Sequence, residues 1–384
     1  MRFLYITSHY SPFSSQTGSE QRYNLLLNAL VRIGDVDLIT FRAGVKSNIE
    51  NCTVIFSEDI PKLRTQGRIN DLKKLQRPFK IESFFPINEA RAEIVDRLIS
   101  QKEYDLIVTR YIWAALECDL MRYADRLVVD VDDHPVDTWM ALSHNAESAG
   151  RRVYYRICAF FIKKMIPNLL NSIRFSFFAN QDQVFYRHSA YLPNIPFYQM
   201  SAILPKKQFS TTLLFVGDLR YPPNYLGIEH FVTHVFPKIR QTIPSVRLNL
   251  VGRNNGAEWE QRMQQIPGVS VKGYVQDLQK EYENSDVCVV PIYSGAGTNI
   301  KVLEAMQANR SCVVSEEATR GFRNIFIEGK DYLVSRNDRE FVDNVCSLLA
   351  NDSYNISISN NGNDTVRKLF SREVFYRAVE QMLE

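Results

Sequence analysis

Short runs of consecutive apolar, mostly β-branched residues alternate along this chain with longer stretches whose apolar residues recur every three or four positions. RFLYIT (2–7), VDLIT (36–40), DLIVT (105–109) and RLVVDV (126–131) are of the first kind. Continuous apolar runs of this length are what parallel strands show when both faces of their sheet are covered. Between the first two, a polar loop from Ser8 to Ser19 leads into a helix predicted from about Glu20 to Ile33, with Leu26, Leu27 and Leu30 on its apolar side. The second half restarts the pattern with LLFVG (213–217), LNLVG (248–252), VSVKGY (269–274), VCVVPI (287–292) and CVVS (312–315) as strands. Helices are predicted there from about Tyr225 to Thr242 and around Glu258–Gln265. Strands alternating with helices predict an α/β chain of parallel βαβ units.

The segment LPNIPFYQMSAILPKKQ separates the halves, with three prolines and weak periodicity. The expected organisation is a first Rossmann-like domain over 1–195, a linker over 196–210 and a second over 211–370, with 370–384 rejoining the first. A length of 384 residues accords with two cores rather than one. Open α/β sheets bind ligands beyond the carboxyl ends of their strands, so two such domains are expected to aim their loops into one central cleft.

VCVVPIYSGAGTNIKVLEAM (287–306) carries the most chemistry. A strand runs into Ser294-Gly295-Ala296-Gly297, Thr298 stands where an N-cap belongs, and Asn299 to Ala308 reads as helix. The amides of Gly297, Thr298, Asn299 and Ile300 then point out of a helix start, an anion site made of backbone and helix dipole. Lys301 adds a cation in the first turn, where the dipole alone disfavours one. Glu304 shares its face, and a carboxylate beside an anion site needs hydroxyl donors, of which a ribose offers two. A plain strand–helix turn with a solvated Lys–Glu pair is the alternative reading.

PIYSGAGTNIKVLEAMQANRSCVVS resembles the signature of glycosyltransferase family 4, nucleotide-sugar-dependent transferases of the GT-B class. LLFVGDLRYPPNYLGIEHFVTHVFPKIRQTIPSVRLNLVGRN and VKGYVQDLQKEYENSDVCVVP are similar to that family's donor domain, in its order, across roughly 211–330. The resemblance implies a GT-B architecture and a nucleotide diphosphate sugar as donor substrate. It further implies retention at the anomeric carbon, no required cofactor or metal, and a carbohydrate or lipid-linked acceptor of the kind used in surface-polysaccharide assembly. By position it implies that Glu304 holds the donor ribose. The first Glu of the family's E-x7-E motif falls on Ala296, a departure that bears on sugar choice and activity. It implies diphosphate contacts from the loop after Gly217, where Arg220 is present and Asn224 stands about where a Lys belongs, so that Lys301 supplies that charge. Gly273, Tyr274 and Val275 fall at the base site, with Arg253 nearby. FSREVFYRAVEQMLE resembles the helix that crosses back onto the first domain.

In the first domain, Gly18 precedes a helix in the Ser14–Glu20 loop, where GT-B enzymes approach the donor phosphates; a surface turn is the alternative. VVDVDDHP (128–135) offers two chemistries. Asp130-Val131-Asp132 spells the DxD that metal-dependent GT-A transferases use, and two such residues share one face of a strand. Alternatively the strand delivers Asp132, Asp133 and His134 into the cleft, with Asp132 and His134 as catalytic candidates beside Lys301. A plain loop histidine is the remaining reading for His134.

A net charge of +3 makes any basic signal local. From Ser148 to Gln181 no residue is acidic, while Arg151, Arg152, Arg156, Lys163, Lys164 and Arg174 are basic. On a helical wheel Arg152, Arg156 and Lys163 share a sector opposite Val153, Tyr154, Ile157, Phe161, Ile162 and Met165, and Arg151–Lys164 is expected to rest on an anionic membrane surface. Lys62–Lys80 is a second basic stretch, with seven Lys or Arg against Asp71. An ordinary domain helix with its charges in water is the competing reading. No nucleic-acid reader motif interleaves aromatics with these charges. The six cysteines form no CxxC pair, and no apolar run spans a bilayer. The expected setting is the cytoplasm, peripheral on the inner face of the membrane. The reading is a metal-independent glycosyltransferase of hexosyl type; a catalytically silent nucleotide-sugar-binding or membrane-partner subunit and a nucleotide-sugar epimerase are the alternatives.

Overall fold

A computed structural model of the chain describes all residues except 9, 14–17, 62, 64–70, 72, 73, 147, 197–210 and 296. Two compact units result: Met1–Pro193 with Arg372–Glu384, and Asn194–Ser371. The linker expected at 196–210 lies, from residue 197 on, outside the described residues. So does most of the Lys62–Arg68 end of the second basic stretch.

The first unit is a seven-stranded parallel sheet in the order β3-β2-β1-β4-β5-β6-β7. Its strands are β1 (Arg2–Thr7), β2 (Asp35–Thr40), β3 (Cys52–Ser57), β4 (Leu106–Arg110), β5 (Leu127–Asp132), β6 (Phe175–Phe178) and β7 (Ser189–Tyr191). Among the described residues, the helices that alternate with them include α1 (Gly18–Ile33), α2 (Glu89–Ile99), α3 (Ile112–Glu117), α4 (Pro135–His144) and α5 (Ala149–Ser172). The apolar runs are the central strands, and Phe3, Leu4, Ile107, Val108, Val128 and Val129 are fully buried because helices cover both faces. β3, β6 and β7 were not expected; they lie toward the two edges of the sheet, where short strands carry little apolar signal.

The second unit is a six-stranded parallel sheet in the order β10-β9-β8-β11-β12-β13. Here β8 is Thr212–Val216, β9 Arg247–Val251, β10 Val269–Gly273, β11 Val287–Val290, β12 Ser311–Ser315 and β13 Leu333–Ser335. Its helices are α6 (Pro222–His230), α7 (Phe236–Thr242), α8 (Ala257–Gln264), α9 (Leu278–Glu283), α10 (Ile300–Gln307), α11 (Asp338–Ala350) and α12 (Asp352–Leu369). The helix predicted over Tyr225–Thr242 starts earlier, at Pro222, and passes through a π turn at Phe231–Val235. Pro237 follows that turn without an amide to donate, which accounts for the widened hydrogen bonding before it. In each unit the chain crosses over beside its first strand, between β1 and β4 or between β8 and β11, the kind of position where loops part to admit a ligand.

A final helix, α13 (Arg372–Leu383), returns to the first unit and packs on α1. Phe375 and Val379 are fully buried there, and Arg32 of α1 reaches Glu373 at 3.2 Å and Glu380 at 3.4 Å. The interior of this unit holds a four-charge network. Arg22 of α1 binds Asp130 through Nε at 2.8 Å and Nη2 at 2.7 Å, and donates to the Leu192 carbonyl at 3.0 Å. Arg110, at the end of β4, approaches Asp130 at 3.2 Å and pairs with Asp132. Its guanidinium also lies 5.1 Å from the Tyr23 ring centre and 4.5 Å from that of Tyr111. Two cations and two anions sum to zero, so none of these buried charges lacks a counterpart.

Removing one member leaves an uncompensated charge in the interior. Arg22→Met is expected to lower the unfolding free energy of this unit by about 3–5 kcal/mol. Arg22→Met combined with Asp130→Leu should recover a substantial part of that loss. Urea denaturation followed by circular dichroism checks both, and a single variant as stable as wild type would contradict the account.

Candidate functional site

The site is built where β8 and β11 part. Gly252, just after β9, has φ of +136°, and a Cβ there would stand 1.9 Å from the Gly217 carbonyl oxygen, so only glycine lets the ends of β8 and β9 approach. Gly227 of α6 is equally constrained, its would-be Cβ 1.9 Å from the Pro291 oxygen. α6 therefore sits directly on the backbone that follows β11. That contact brings Asn224 of α6 to the start of α10. Asn224 is buried; its Nδ2 donates to the Asp218 carbonyl at 2.8 Å, and its Oδ1 accepts from Lys301 Nζ at 2.9 Å.

Lys301 is the central charge. Its ammonium also reaches Asn299 Oδ1 at 3.3 Å and lies 5.7 Å from the Phe215 ring centre. Burial pushes its pKa down to about 8, partly opposed by the negative charge of Glu304. Among the described residues its hydrogen-bond acceptors are two neutral amides. An ammonium held this way gains from any anion that arrives beside it.

The helix start differs from expectation in one respect. Asn299, not Thr298, is the cap residue, and the helix runs from Ile300 to Gln307. The Ile300 amide bonds the Thr298 carbonyl at 3.0 Å, so it is not available to a ligand. No acceptor stands opposite the amides of Gly297, Thr298 and Asn299 among the described residues. Thr298 Oγ1 is buried without a hydrogen-bond partner among the described residues, against Gly321, whose would-be Cβ lies 2.6 Å from it. Arg320 clamps the glycine loop by donating to the Gly295 carbonyl, and Asn299 Nδ2 reaches the Ala318 carbonyl at 3.4 Å. The sequence reading missed Arg320; nothing in its local pattern marks it, because its partner is a backbone oxygen 25 residues away.

The remaining donor-side candidates ring the carboxyl ends of the same strands. Glu304 is buried on α10, one turn after Lys301. Arg220 is exposed and held by Asp218 through Nε at 2.9 Å and Nη2 at 2.6 Å, a pairing that keeps the Asp218 carboxyl below its usual range. Arg253 is exposed after β9, its carbonyl accepting from the Leu219 amide at 2.8 Å. Tyr274 is 75% exposed after β10. Ala296 lies outside the described residues.

The candidates of the first unit are placed differently from expectation. Gly18 is the first residue of α1, and the loop before it, at 14–17, lies outside the described residues. Asp132 is not delivered into an open loop. It is buried with φ of +62°, where the register with β6 slips, and it faces Arg110. The DxD alternative gains no support on the same ground: both carboxylates already face two fixed guanidiniums, and a metal cation would add to that positive charge. His134 caps α4, with Nδ1 accepting from the Val136 amide at 3.2 Å and Nε2 bonded to the Tyr186 hydroxyl. Burial lowers its pKa, so the ring is neutral and both nitrogens are engaged. Asp133 stands between them, pushed up to about 7 by burial and then by the charge of Asp132.

Residues 210–351 match the family model described as Glycosyl transferases group 1. The chain is 23% identical over 332 residues to an uncharacterised 44.6 kDa protein in the cps region of Klebsiella pneumoniae, covering 82% of this chain and 83% of that protein. It is similar in structure to sucrose-phosphate synthase from Thermosynechococcus elongatus, with a TM-score of 0.71 and 17% identity over 99% of this chain and 98% of that one. Anabaena Alr3699/HepE, solved in complex with UDP and glucose, gives a TM-score of 0.63 and 15% identity over 100% and 99%. These likenesses extend along both units. The chain has the GT-B fold, and its residues 210–351 match the model of the Glycosyl transferases group 1 family.

Proposed function

We propose that the protein transfers a hexosyl group from a nucleoside diphosphate sugar to an acceptor hydroxyl, with retention and without a required metal. The observation that carries this reading is the half-buried Lys301 ammonium beside the open amides of Gly297, Thr298 and Asn299. A diphosphate placed there receives backbone donors, the helix dipole and one cation. During transfer the bond from the anomeric carbon to the diphosphate oxygen breaks and a bond to the acceptor oxygen forms. The charge that grows on the leaving phosphate falls on donors already in position, which is where electrostatic stabilisation is most effective. A phosphate oxygen takes the acceptor proton, so neither His134 nor Asp132 has to act as a base. Glu304 accepts from the two ribose hydroxyls and fixes the donor's orientation. Arg220, Arg253, Gly217 and Tyr274 frame the diphosphate and the base. That Alr3699/HepE was solved with UDP supports a uridine donor as the first to try.

The acceptor in this reading is lipid-linked, and the protein works on the inner face of a membrane. No helix among the described residues is long and apolar enough to cross one. α5 supports surface attachment, with a correction to the expected wheel. Its buried stripe is Cys158, Ile162, Ile166 and Leu170, so Val153 (55% exposed), Ile157 (39%) and Phe160 (54%) face outward among Arg152, Arg156, Lys163 and Lys164. Apolar side chains set among cations suit an anionic interface, where each cation contributes about 1 kcal/mol. The relative from a cps region is in keeping with a surface-polysaccharide acceptor.

A thermal-shift screen against UDP, GDP, dTDP, ADP and CMP tests the donor site. One diphosphate should raise the melting temperature, by an amount equivalent to roughly 2.7 kcal/mol at 100 times its Kd. Lys301→Met and Glu304→Ala should each weaken that ligand by roughly ten- to a hundredfold. The pH dependence has a definite sign. Lys301 is charged below about 8 and loses its proton above. Affinity should therefore hold from pH 6 to 7.5 and then fall, by up to about tenfold per pH unit, with no such fall in Lys301→Met. Binding without turnover on any acceptor would assign the silent-subunit alternative.

For the membrane, sedimentation with vesicles containing a third phosphatidylglycerol should carry the protein down at low salt. Phosphatidylcholine vesicles should not, and both 0.5 M salt and Phe160→Ser should release it. Equal binding to both vesicle types would remove the charged helix from the account.

A further inference from the structure

A cavity of about 250 Å³ in the first unit is lined by none of the donor-site candidates and by none of the buried four-charge network. It opens beside α3 and α4, the helices that leave the carboxyl ends of β4 and β5. Trp113 of α3, Trp139 of α4, and Tyr154 and Tyr155 of α5 line it together with Phe84. Trp139 meets Phe84 at 82° and Tyr155 at 60°, edge to face in both cases, with ring centres 6.0 Å apart. The planes of Phe84 and Tyr155 are thus set at steep angles to Trp139, while Trp113 stacks on Tyr111 at 15°.

Fixed polar groups sit on the same wall. Asp71 accepts from the Tyr154 hydroxyl at 2.8 Å and from Lys74 Nζ at 3.3 Å, and the Lys74 ammonium lies 5.5 Å from the Trp139 ring centre. Glu117, at the end of α3, is held by Arg91 at 3.0 Å. Each of these carboxylates has a cation beside it. Arg151, at the exposed start of α5, lines the cavity and forms no ion pair among the described residues. Its backbone amide is tied to Ser148 at 3.3 Å, which fixes where the side chain departs.

We propose that this cavity is a subsite for an acidic sugar, one pyranose ring of the acceptor that carries a carboxylate. The inference rests on the transferase reading, since it names that reaction's acceptor class. A pyranose has an apolar C–H face whose hydrogens are electropositive, which suits the negative face of an indole or phenol ring. Its hydroxyls radiate from the ring edge, where Asp71 and Glu117 accept them. The volume holds one ring rather than a chain, so the rest of an oligosaccharide extends outside. Arg151 supplies the charge that selects a uronate over a neutral hexose, through a charge-assisted contact at the rim.

The chain has three tryptophans, of which two line this cavity, and the third, Trp259, is buried in the other unit. In a Trp259→Phe background, indole fluorescence therefore reports on the cavity alone. Titration with methyl glucuronide and methyl galacturonide should quench or shift that emission. The corresponding methyl glucosides and galactosides should bind roughly five- to tenfold more weakly, and sodium acetate should give no change. Arg151→Gln, at an exposed position, should abolish the preference for the uronides while leaving glycoside binding as it was. Trp139→Phe should weaken both classes while the melting temperature stays within a few degrees of the parent. No response to either uronide, or an Arg151→Gln protein that still prefers them, overturns the proposal. Stabilisation by a nucleoside diphosphate in the same preparations separates the two inferences. Nucleotide binding without uronide binding sinks this subsite alone; uronide binding without nucleotide binding leaves the subsite and removes the donor reading.

Discussion

An ammonium ion placed half out of water with neutral oxygens for company is the constraint from which the second unit is best understood. Lys301 occupies the first turn of α10, where the helix dipole opposes a cation, and its burial opposes it again. The fold meets those costs with backbone approaches that only glycine permits. Gly252 against Gly217 draws two strand ends together, and Gly227 against Pro291 seats α6 on the loop after β11. Asn224 is thereby delivered to Lys301 and tied to the Asp218 carbonyl at the same time. Moving any of these backbones outward would leave the ammonium with fewer donors satisfied. The glycines and the asparagine are thus parts of one device, in which the Lys301 ammonium donates to two neutral amides while the charge of Glu304 partly offsets its burial.

The first unit solves the opposite problem. Arg22, Arg110, Asp130 and Asp132 are as buried as Lys301 or more so, yet their charges cancel within the cluster. The cluster ties α1, β4 and β5 together with charges that are already paired. His134 belongs with it in character. Its two nitrogens cap a helix and meet a tyrosine, and its ring lies among Phe178, Phe185 and Tyr186. Rigid strand ends of this kind support loops and cavities that do the recognising, which is the division of labour expected of an open parallel sheet.

What could be read from the sequence follows from which forces are local. Buried central strands need apolar runs, and each run read as a strand became one, displaced by at most a residue or two. The glycine-rich approach to α10 was legible for the same reason, since its chemistry is carried by residues adjacent in the chain. The exact cap was not. Asn299 takes that position without a side-chain capping bond, while the Thr298 hydroxyl packs against Gly321, 23 positions away, where only a residue without a Cβ leaves it room. The pairing of Arg22 with Asp130 spans 108 residues, and within its own helix Arg22 looks like any solvated charge. Two aspartates inside the apolar run VVDVD were the available signal, because carboxylates on a covered strand require cations from somewhere. The wheel of α5 was right in part: Ile162 of its apolar side is buried and Tyr154, Phe161 and Met165 pack against the core, but the buried stripe at Cys158, Ile162, Ile166 and Leu170 lies to one side of it and leaves Val153 and Ile157 exposed.

That outcome gives α5 two outward faces with different work. Val153, Ile157 and Phe160 point away from the core among basic residues, while Tyr154 and Tyr155 turn to the aromatic cavity beside Trp139. Adjacent positions on one helix are separated by about a quarter turn, so a surface that held the first face would lie alongside the mouth of the cavity rather than over it. Arg151 stands at the same end of the helix, exposed and lining the cavity. A saccharide displayed on a lipid would then approach the aromatic walls from the membrane side, its acidic group meeting Arg151 first. Long-range attraction from the cations and short-range fit from the rings act on different parts of such an acceptor. The first governs arrival and the second orientation. Electrostatic capture alone would accept any anionic lipid, and aromatic packing alone would accept neutral sugars. In the proposed reading, their juxtaposition on one helix would make the combination selective.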